Sequence, residues 1–84
     1  MSAGFLRLDK WLWQARFVKS RAGAAALCRS AILRVNRVRV THAHHRLRVG
    51  DVLTLPLKDE VRVVRIVALG DRRGPASEAR KLYQ

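Results

Sequence analysis

The chain has 84 residues, which is enough for one small domain but excludes two separate hydrophobic cores. Its apolar fraction of 49 % excludes a disordered chain, even though the formal net charge is +12. A domain of this size has little stability to spare for a strained catalytic site, so a binding module is the better expectation than a complete enzyme.

The positive charge is concentrated in the first part of the chain. Residues 1–50 contain eleven lysines and arginines and one acid, whereas residues 51–84 contain seven lysines and arginines and five acids. Because the second part shows that such an excess is not needed for solubility, the first part predicts a face for a polyanion, most commonly a phosphate backbone. Fourteen arginines against four lysines favour nucleic acid over a membrane surface, since a guanidinium binds phosphate through two hydrogen bonds.

Signals for membranes and secretion are lacking in the sequence. No apolar run approaches the roughly 20 residues that cross a bilayer, and the start, MSAGFLRLDK, has no long apolar region after a basic residue. Cys28 is the single cysteine and has no internal disulfide partner. We therefore expect a cytoplasmic protein that does not contact membranes.

Two helices are predicted before residue 32. The first has an apolar stripe with the spacing i, i+3, i+4 and i+7 and should end near Phe17; the stripe consists of Leu8, Trp11, Leu12 and Ala15. Ser20 is a good N-cap for the second helix, RAGAAALCRSA. The buried stripe of this second helix is predicted to be Ala24, Leu27, Cys28 and Ala31.

Helical periodicity turns three residues of the first helix away from its apolar stripe, namely Lys10, Trp13 and Phe17. Trp11 is expected in the core, but two positions fit Trp13. Its indole could pack under a loop or the C-terminal tail, or it could stack on a nucleic-acid base.

The remainder of the chain predicts a small antiparallel sheet. Alternating apolar residues indicate a strand pair around Asn36–Arg37, and Gly50–Asp51 form a turn into the strand VLTL, which Pro56 ends. VRVVRIVAL is the longest strand candidate, and its doubled valines indicate a bulge or burial on both faces. Pro75 suits the first turn of a short helix. The predicted class is α+β, with two N-terminal helices on the sheet and a short C-terminal helical turn.

The sequence gives little support for a catalytic site or a metal site. Cys28 lies on a predicted buried stripe, where a thiol is usually an inert small apolar group. Three histidines, His42, His44 and His45, could be combined with Cys28 as metal ligands, but they lack zinc-type spacing. No glycine-rich phosphate loop is present. We expect a non-enzyme without metal or cofactor.

The junction between the two predicted helices is the best phosphate site in the sequence. Arg16, Lys19 and Arg21 surround Ser20, where the free N–H groups at a helix start favour anions. Further cations follow in and after the predicted strand pair, at Arg34, Arg37, Arg39, Arg46 and Arg48. Arg62 and Arg65 are expected only to lie on the solvent-exposed face of a strand.

Four stretches in this order, RLDKWLW, SRAGAAALCRSA, VNRVRV and VGDVLTL, resemble the S-four domain, a small RNA-binding module named after ribosomal small-subunit protein four. The resemblance implies its α-L motif over about residues 7–55, within a single domain of residues 1–84 whose C-terminal strand and tail are 56–84. RLDKWLW and the late stretch RRGPASEARKLY are similar to the bacterial family of ribosome-associated small heat-shock proteins.

This resemblance implies binding to ribosomal RNA on free large ribosomal subunits that still carry a nascent chain on transfer RNA, and a role in recycling them. It implies an RNA face made by Arg7, Asp9, Lys10, Arg16, Lys19, Ser20 and Arg21, which is flanked by Arg29, Asn36, Arg37 and Arg39. Asp9 is expected to orient a neighbouring arginine rather than to contact phosphate. We expect a monomer.

The sequence departs from the family pattern at two glycine positions and at its end. Ala31 and Arg37 replace glycines, so the turn after Asn36 must either hold a non-glycine residue at positive φ or take another shape. Family members commonly continue into a basic extension beyond the position of Gln84; if that extension contributes to ribosome placement, a chain without it is expected to bind RNA but to lack the full recycling role.

Three other functions fit the same sequence. S-four modules are often attached to RNA-modifying enzymes, although no room remains here for a catalytic domain, so the chain would be a fragment or an adaptor. A structural ribosomal component is the second alternative. Nonspecific DNA binding is possible on charge alone.

Overall fold

The structure is a computed structural model and describes residues 4–30 and 32–84. Its elements are β1 (Leu6–Arg7), α1 (Leu8–Gln14), α2 (Arg21–Cys28), β2 (Arg34–Val35), β3 (Val38–Arg39), β4 (Arg46–Leu47), β5 (Val52–Pro56), β6 (Val61–Arg65), α3 (Ala76–Ala79) and a 3₁₀ turn (Arg80–Leu82). The helices and the larger sheet follow the predicted α+β order, whereas β1, which precedes α1, and its partner β4 are strands that the sequence did not predict.

Helix α1 buries its predicted stripe but ends earlier than predicted, at Gln14. Arg16 adopts a left-handed conformation with φ of 64°. The Arg16 N–H donates to the Trp13 carbonyl at 3.2 Å, and the Phe17 N–H donates to the Leu12 carbonyl at 3.0 Å. This pair of bonds is a Schellman motif, which ends the helix and turns the chain back toward the core.

Phe17 therefore lies on the side opposite to the one predicted. Its ring packs 6.0 Å from that of Trp11 and 4.7 Å from that of Tyr83, measured between centroids. Trp11 is fully buried, and its indole N–H donates to the Ala68 carbonyl at 3.1 Å. These rings attach the C-terminal tail to α1.

Trp13 packs against the segment that follows β6, which is one of its two predicted positions. The Arg73 guanidinium lies 5.5 Å from the centre of the Trp13 ring, and the Arg73 Nε donates to the Trp13 carbonyl at 3.0 Å. The indole is half-buried. This cation–π contact fixes the tail to the outer side of α1.

Helix α2 begins as predicted, with the Ser20 hydroxyl accepting a hydrogen bond from the Gly23 N–H at 3.1 Å. Ala24 and Cys28 are buried, and Leu27 is half-buried. The predicted continuation of the stripe to Ala31 lies outside the described residues. Helices α1 and α2 pack directly on each other.

The larger sheet has the strand order β3-β2-β5-β6, and all of its pairs are antiparallel. Val35, Leu53 and Val64 are in register across it and form the layer that faces the helices. Strands β1 and β4 form a separate two-stranded pair beside the start of α1. The small antiparallel sheet under two helices confirms the predicted fold class.

Strand β6 has neither of the features predicted from its doubled valines. Its pairing with β5 is regular from Val61 to Arg65, without a bulge. Val64 faces the core, whereas Val63 is 61 % exposed on the open face of the sheet. The tail returns along β6, where Gln84 exchanges two backbone hydrogen bonds with Arg65. A short helix, α3, follows Pro75 as predicted, but Pro75 is its N-cap, one position before the first turn in which it is predicted.

The hairpin turn between β2 and β3 takes the first of the two predicted alternatives. Asn36 and Arg37 both have positive φ, 51° and 71°. Positive φ at both central residues is typical of a type I′ turn, which suits the twist of paired strands. The turn therefore keeps a tight shape although it lacks a glycine.

Candidate nucleic-acid interface

A buried carboxylate connects the starts of the two N-terminal helices. Asp9, only 5 % exposed, accepts hydrogen bonds from Arg7 Nε at 3.1 Å and Arg7 Nη2 at 2.9 Å. Arg21 Nη2 approaches the same carboxylate at 3.4 Å. The acid thus contacts and orients arginine, as predicted, while the side chains of both arginines remain more than half exposed.

A third arginine adjoins this group, although it is absent from the predicted face. In the β1–β4 pair, Arg46 lies directly opposite Arg7. The Arg46 guanidinium stands 4.5 Å from the centre of the Phe5 ring. Two like charges on opposed residues repel each other, and Asp9 is the one acid with a salt bridge to this group in the described part of the chain. An incoming anion would relieve that repulsion.

We call Arg7, Asp9, Arg21 and Arg46 the arginine cluster. Lys19 and Ser20 are exposed and immediately precede Arg21 at the start of α2. The N–H groups of the first helical turn point out of this end, where the helix dipole favours negative charge. The predicted phosphate site at the helix junction is therefore continuous with the arginine cluster.

The hairpin carries a second group of cations. Arg34 and Arg39 are directly paired across β2 and β3, and Arg37 is exposed in the turn. Asn36, also predicted to flank the RNA face, uses its side chain within the fold. Its Nδ2 donates to Asp51 at 3.1 Å, and its Oδ1 accepts from the Val52 N–H at 2.9 Å. Asn36 thus clamps the hairpin to β5.

The side chains of three predicted residues lie outside the arginine cluster, although the Lys10 backbone N–H donates to Asp9 Oδ1 at 2.8 Å. Arg16 donates from Nε to the Gly74 carbonyl at 2.8 Å, so its side chain is directed to the C-terminal tail. Lys10 is exposed on α1, and Arg29 is the exposed C-cap of α2. The predicted face is therefore divided into three parts. The first is the arginine cluster together with the helix junction, the second is the hairpin, and the third is Arg16 on the side of the C-terminal tail.

Cys28 is buried, whereas His42, His44 and His45 are exposed before β4. Burial is the main cause that raises the pKa of the Cys28 thiol above its ordinary value of 9.0, with a smaller contribution from Asp9. The rings of His42 and His44 stack at 5.1 Å between centroids. Among the described residues, no three His, Cys, Asp or Glu side chains are grouped so that they could hold a metal ion.

Comparison with known proteins agrees with this architecture. The family model of the S4 domain, the S-four domain of the sequence prediction, matches residues 6–53, which is more than half of the chain. This stretch contains the arginine cluster, the helix junction and the hairpin. The chain belongs to the S4-domain family, whose module binds RNA.

Within that family, the similar proteins are small heat-shock proteins. Heat shock protein 15 homolog of Haemophilus influenzae is 42 % identical and heat shock protein 15 of Escherichia coli K12 is 38 % identical, each over 79 residues and 94 % of this chain. The chain spans about three fifths of the length of these two relatives. These relatives are heat shock protein 15 proteins that share almost the whole of this chain.

A solved structure supports the same assignment. The trimeric structure of Vibrio cholerae heat shock protein 15, at 2.3 Å resolution, superposes with a TM-score of 0.88 and 32 % sequence identity. The match covers 95 % of this chain and 80 % of the other. That assembly differs from the monomer that the sequence predicts for this chain. In the described part of the molecule, no helix is both long enough and apolar enough to cross a membrane.

Proposed function

We propose that this protein is a non-catalytic module that binds structured ribosomal RNA on the free large ribosomal subunit, including subunits that retain a nascent chain on transfer RNA. The observation that carries the proposal is the arginine cluster, in which one buried acid orients two exposed arginines beside the start of α2. Its action in the cytoplasm and in the recycling of stalled subunits is part of the same proposal, supported by the similarity to heat shock protein 15.

The arrangement suits duplex RNA better than a specific base sequence. Guanidinium groups and helix-start N–H groups bind phosphates, and the major groove of an RNA duplex is too narrow for side chains to read. The cations are spread over the helix junction and the hairpin rather than gathered in one deep pocket. Such a surface recognises shape and backbone spacing.

Titration of free large subunits, small subunits and an unrelated RNA duplex at several salt concentrations tests the proposal. We expect the large subunits to bind most tightly, with an affinity that falls steeply with salt because phosphate binding releases counterions. Equal affinity for all three at every salt concentration would remove the ribosome-specific part. Duplex DNA in the same series tests whether charge alone decides binding.

Arg21→Gln tests the arginine cluster itself. Loss of one phosphate contact should weaken binding to the large subunit by roughly tenfold and reduce the slope against salt by about one contact. Arg65→Gln is the matched control, because it removes the same charge from an exposed position on β6. Equal losses in the two variants would show that net charge, and not the cluster, drives binding.

The oligomeric state needs its own measurement, since the V. cholerae protein was solved as a trimer. We propose that this chain binds RNA as one monomeric module. Sedimentation velocity over a range of protein concentrations should then show a single species of 9.6 kDa. A species of three times that mass would contradict the monomer without affecting the RNA-binding proposal.

A further inference from the structure

A cleft of about 350 Å³ lies on the side of the molecule where the tail meets α1 and β6. Three arginines from separate parts of the chain line it: Arg16 from the turn after α1, Arg62 from β6 and Arg80 from the 3₁₀ turn. Phe17 and Tyr83 supply aromatic surface beside them. The volume falls within the range of roughly 300 to 1,000 Å³ that is typical of small-ligand sites.

The charge in this cleft is not neutralised within the fold. No acidic residue is among those that line it, and the salt bridges of the described residues do not involve any of its three arginines. Arg16 uses only its Nε, which donates to the Gly74 carbonyl. Three cations around a half-enclosed space favour an anionic ligand.

The aromatic side of the cleft favours a ligand that also has a flat ring. Phe17 and Tyr83 are half-buried and in contact with each other, with ring centres 4.7 Å apart. The Arg62 guanidinium stands 5.7 Å from the centre of the Tyr83 ring. Aromatic rings and planar guanidinium groups are the surfaces on which unpaired bases stack, while further arginines bind the attached phosphate.

We propose that this cleft binds one unpaired nucleotide of the RNA, with the base against Phe17 and Tyr83 and the phosphate on the arginines. The inference rests on the proposed RNA function and adds a second contact to it. Arg16 belongs to the same connecting segment as Lys19 and Ser20, so the chain links the cleft to the helix junction, although the Arg16 side chain itself is directed to the tail. A nucleotide bulged from a duplex is the form of unpaired base that such a neighbouring site would receive.

Two RNA hairpins that are identical except for one bulged adenosine test the proposal. The unmodified protein should bind the bulged hairpin about fivefold more tightly, which is within the range of one base stacked on an aromatic ring. The double variant Arg62→Gln, Arg80→Gln should lose this preference. Its matched control, Lys58→Gln with Arg65→Gln, removes the same charge from exposed positions off the cleft and should keep the preference.

A photocrosslink gives an independent measurement that does not depend on the folding of a variant. With 5-iodouridine at the bulge, mass spectrometry should identify a crosslinked peptide that contains Phe17 or Tyr83. Crosslinks confined to peptides that do not line the cleft would overturn the assignment.

The outcomes separate this inference from the proposed function. If both hairpins bind equally and both depend on Arg21, the cleft does not bind a nucleotide although RNA binding stands. If neither hairpin binds at any salt concentration, RNA binding itself fails. If a decaglutamate peptide binds in an Arg62- and Arg80-dependent way and the bulge gives no preference, the cleft is an acidic-peptide site and the nucleotide proposal is wrong.

Discussion

Asp9 shows how one residue can serve both the fold and the proposed RNA face. It is the single acid among the first fifty residues, and it is buried at the point where β1, α1 and α2 meet. Its carboxylate orients Arg7 and Arg21 before any ligand binds. The conformational entropy that these guanidinium groups lose on binding a phosphate is therefore smaller. An acid inside a basic face thus orients the arginine side chains around it.

Asp9→Asn is predicted to lower both stability and RNA affinity. The amide keeps the shape but loses the charge, so the free energy of unfolding should fall by about 1.5 to 3 kcal/mol, as for other hydrogen bonds to charged groups. Urea denaturation measures this change, and salt titration with large subunits measures the affinity. Affinity should fall several-fold although the net charge becomes more positive.

Asp59→Asn is the control for this prediction, because Asp59 is an exposed acid in the turn after β5. It raises the net charge equally, and we expect unchanged stability and slightly tighter RNA binding. If Asp9→Asn also tightened binding, then charge would outweigh the orientation of Arg7 and Arg21, and the role assigned to Asp9 would be wrong.

At the level of elements, the start of α2 combines a cap with a site for anions. Ser20 satisfies the Gly23 N–H, and the other N–H groups of the first turn remain directed outward. Ser20→Ala should lower the free energy of unfolding by about 1 kcal/mol. Ser20→Asp should keep the cap and the stability but weaken binding of a fully paired RNA hairpin, because it adds a negative charge beside the phosphates.

Thermal unfolding and RNA titration of both variants separate the two roles of Ser20. Ser77→Asp, at an exposed position of α3, adds the same charge away from the helix junction. It should reduce RNA affinity less than Ser20→Asp does. Equal reductions would mean that the start of α2 is not part of the interface.

Element boundaries show where local sequence patterns lose their predictive value. The apolar stripe of α1 is correct because burial follows the helical period. The predicted end of α1 is wrong, because Arg16 occupies a left-handed position at which glycine is the usual sequence signal. Phe17 then folds back onto Trp11. On β6, Val63 is apolar yet exposed, so its hydrophobicity misled the prediction of a buried or bulged strand.

Site residues follow the same division between local and distant contacts. The helix junction could be predicted because Lys19, Ser20 and Arg21 are neighbours in sequence. The pairing of Arg7 with Arg46 depends on the register of β1 and β4, and the cleft depends on how the tail returns to β6. Neither contact leaves a periodic pattern in the sequence. The sequence therefore predicts for Arg62 only a position on the solvent-exposed face of a strand.

For the molecule as a whole, the dominant property is a formal charge of +12 on a body with dimensions of 33 × 24 × 22 Å. In about 0.01 M salt the screening length is roughly 30 Å, so cations repel one another across the whole domain. Acids neutralise few of these cations, since the described residues contain three salt bridges, two of them to Asp9. The folded state is therefore under electrostatic stress when no polyanion is bound.

Added salt is predicted to stabilise the free protein while it weakens RNA binding. Between about 0.02 M and 0.5 M NaCl, the midpoint of thermal unfolding should rise by about 5 °C, because screening reduces repulsion in the compact state more than in the expanded chain. Circular dichroism measures the midpoint, and the large-subunit titration covers the same salt range. Lys58→Glu, which lowers the formal charge from +12 to +10 at an exposed turn, should raise the low-salt midpoint and flatten its salt dependence. A midpoint that falls with salt in both proteins would show that the ion pairs of Asp9 outweigh the repulsion among the remaining cations.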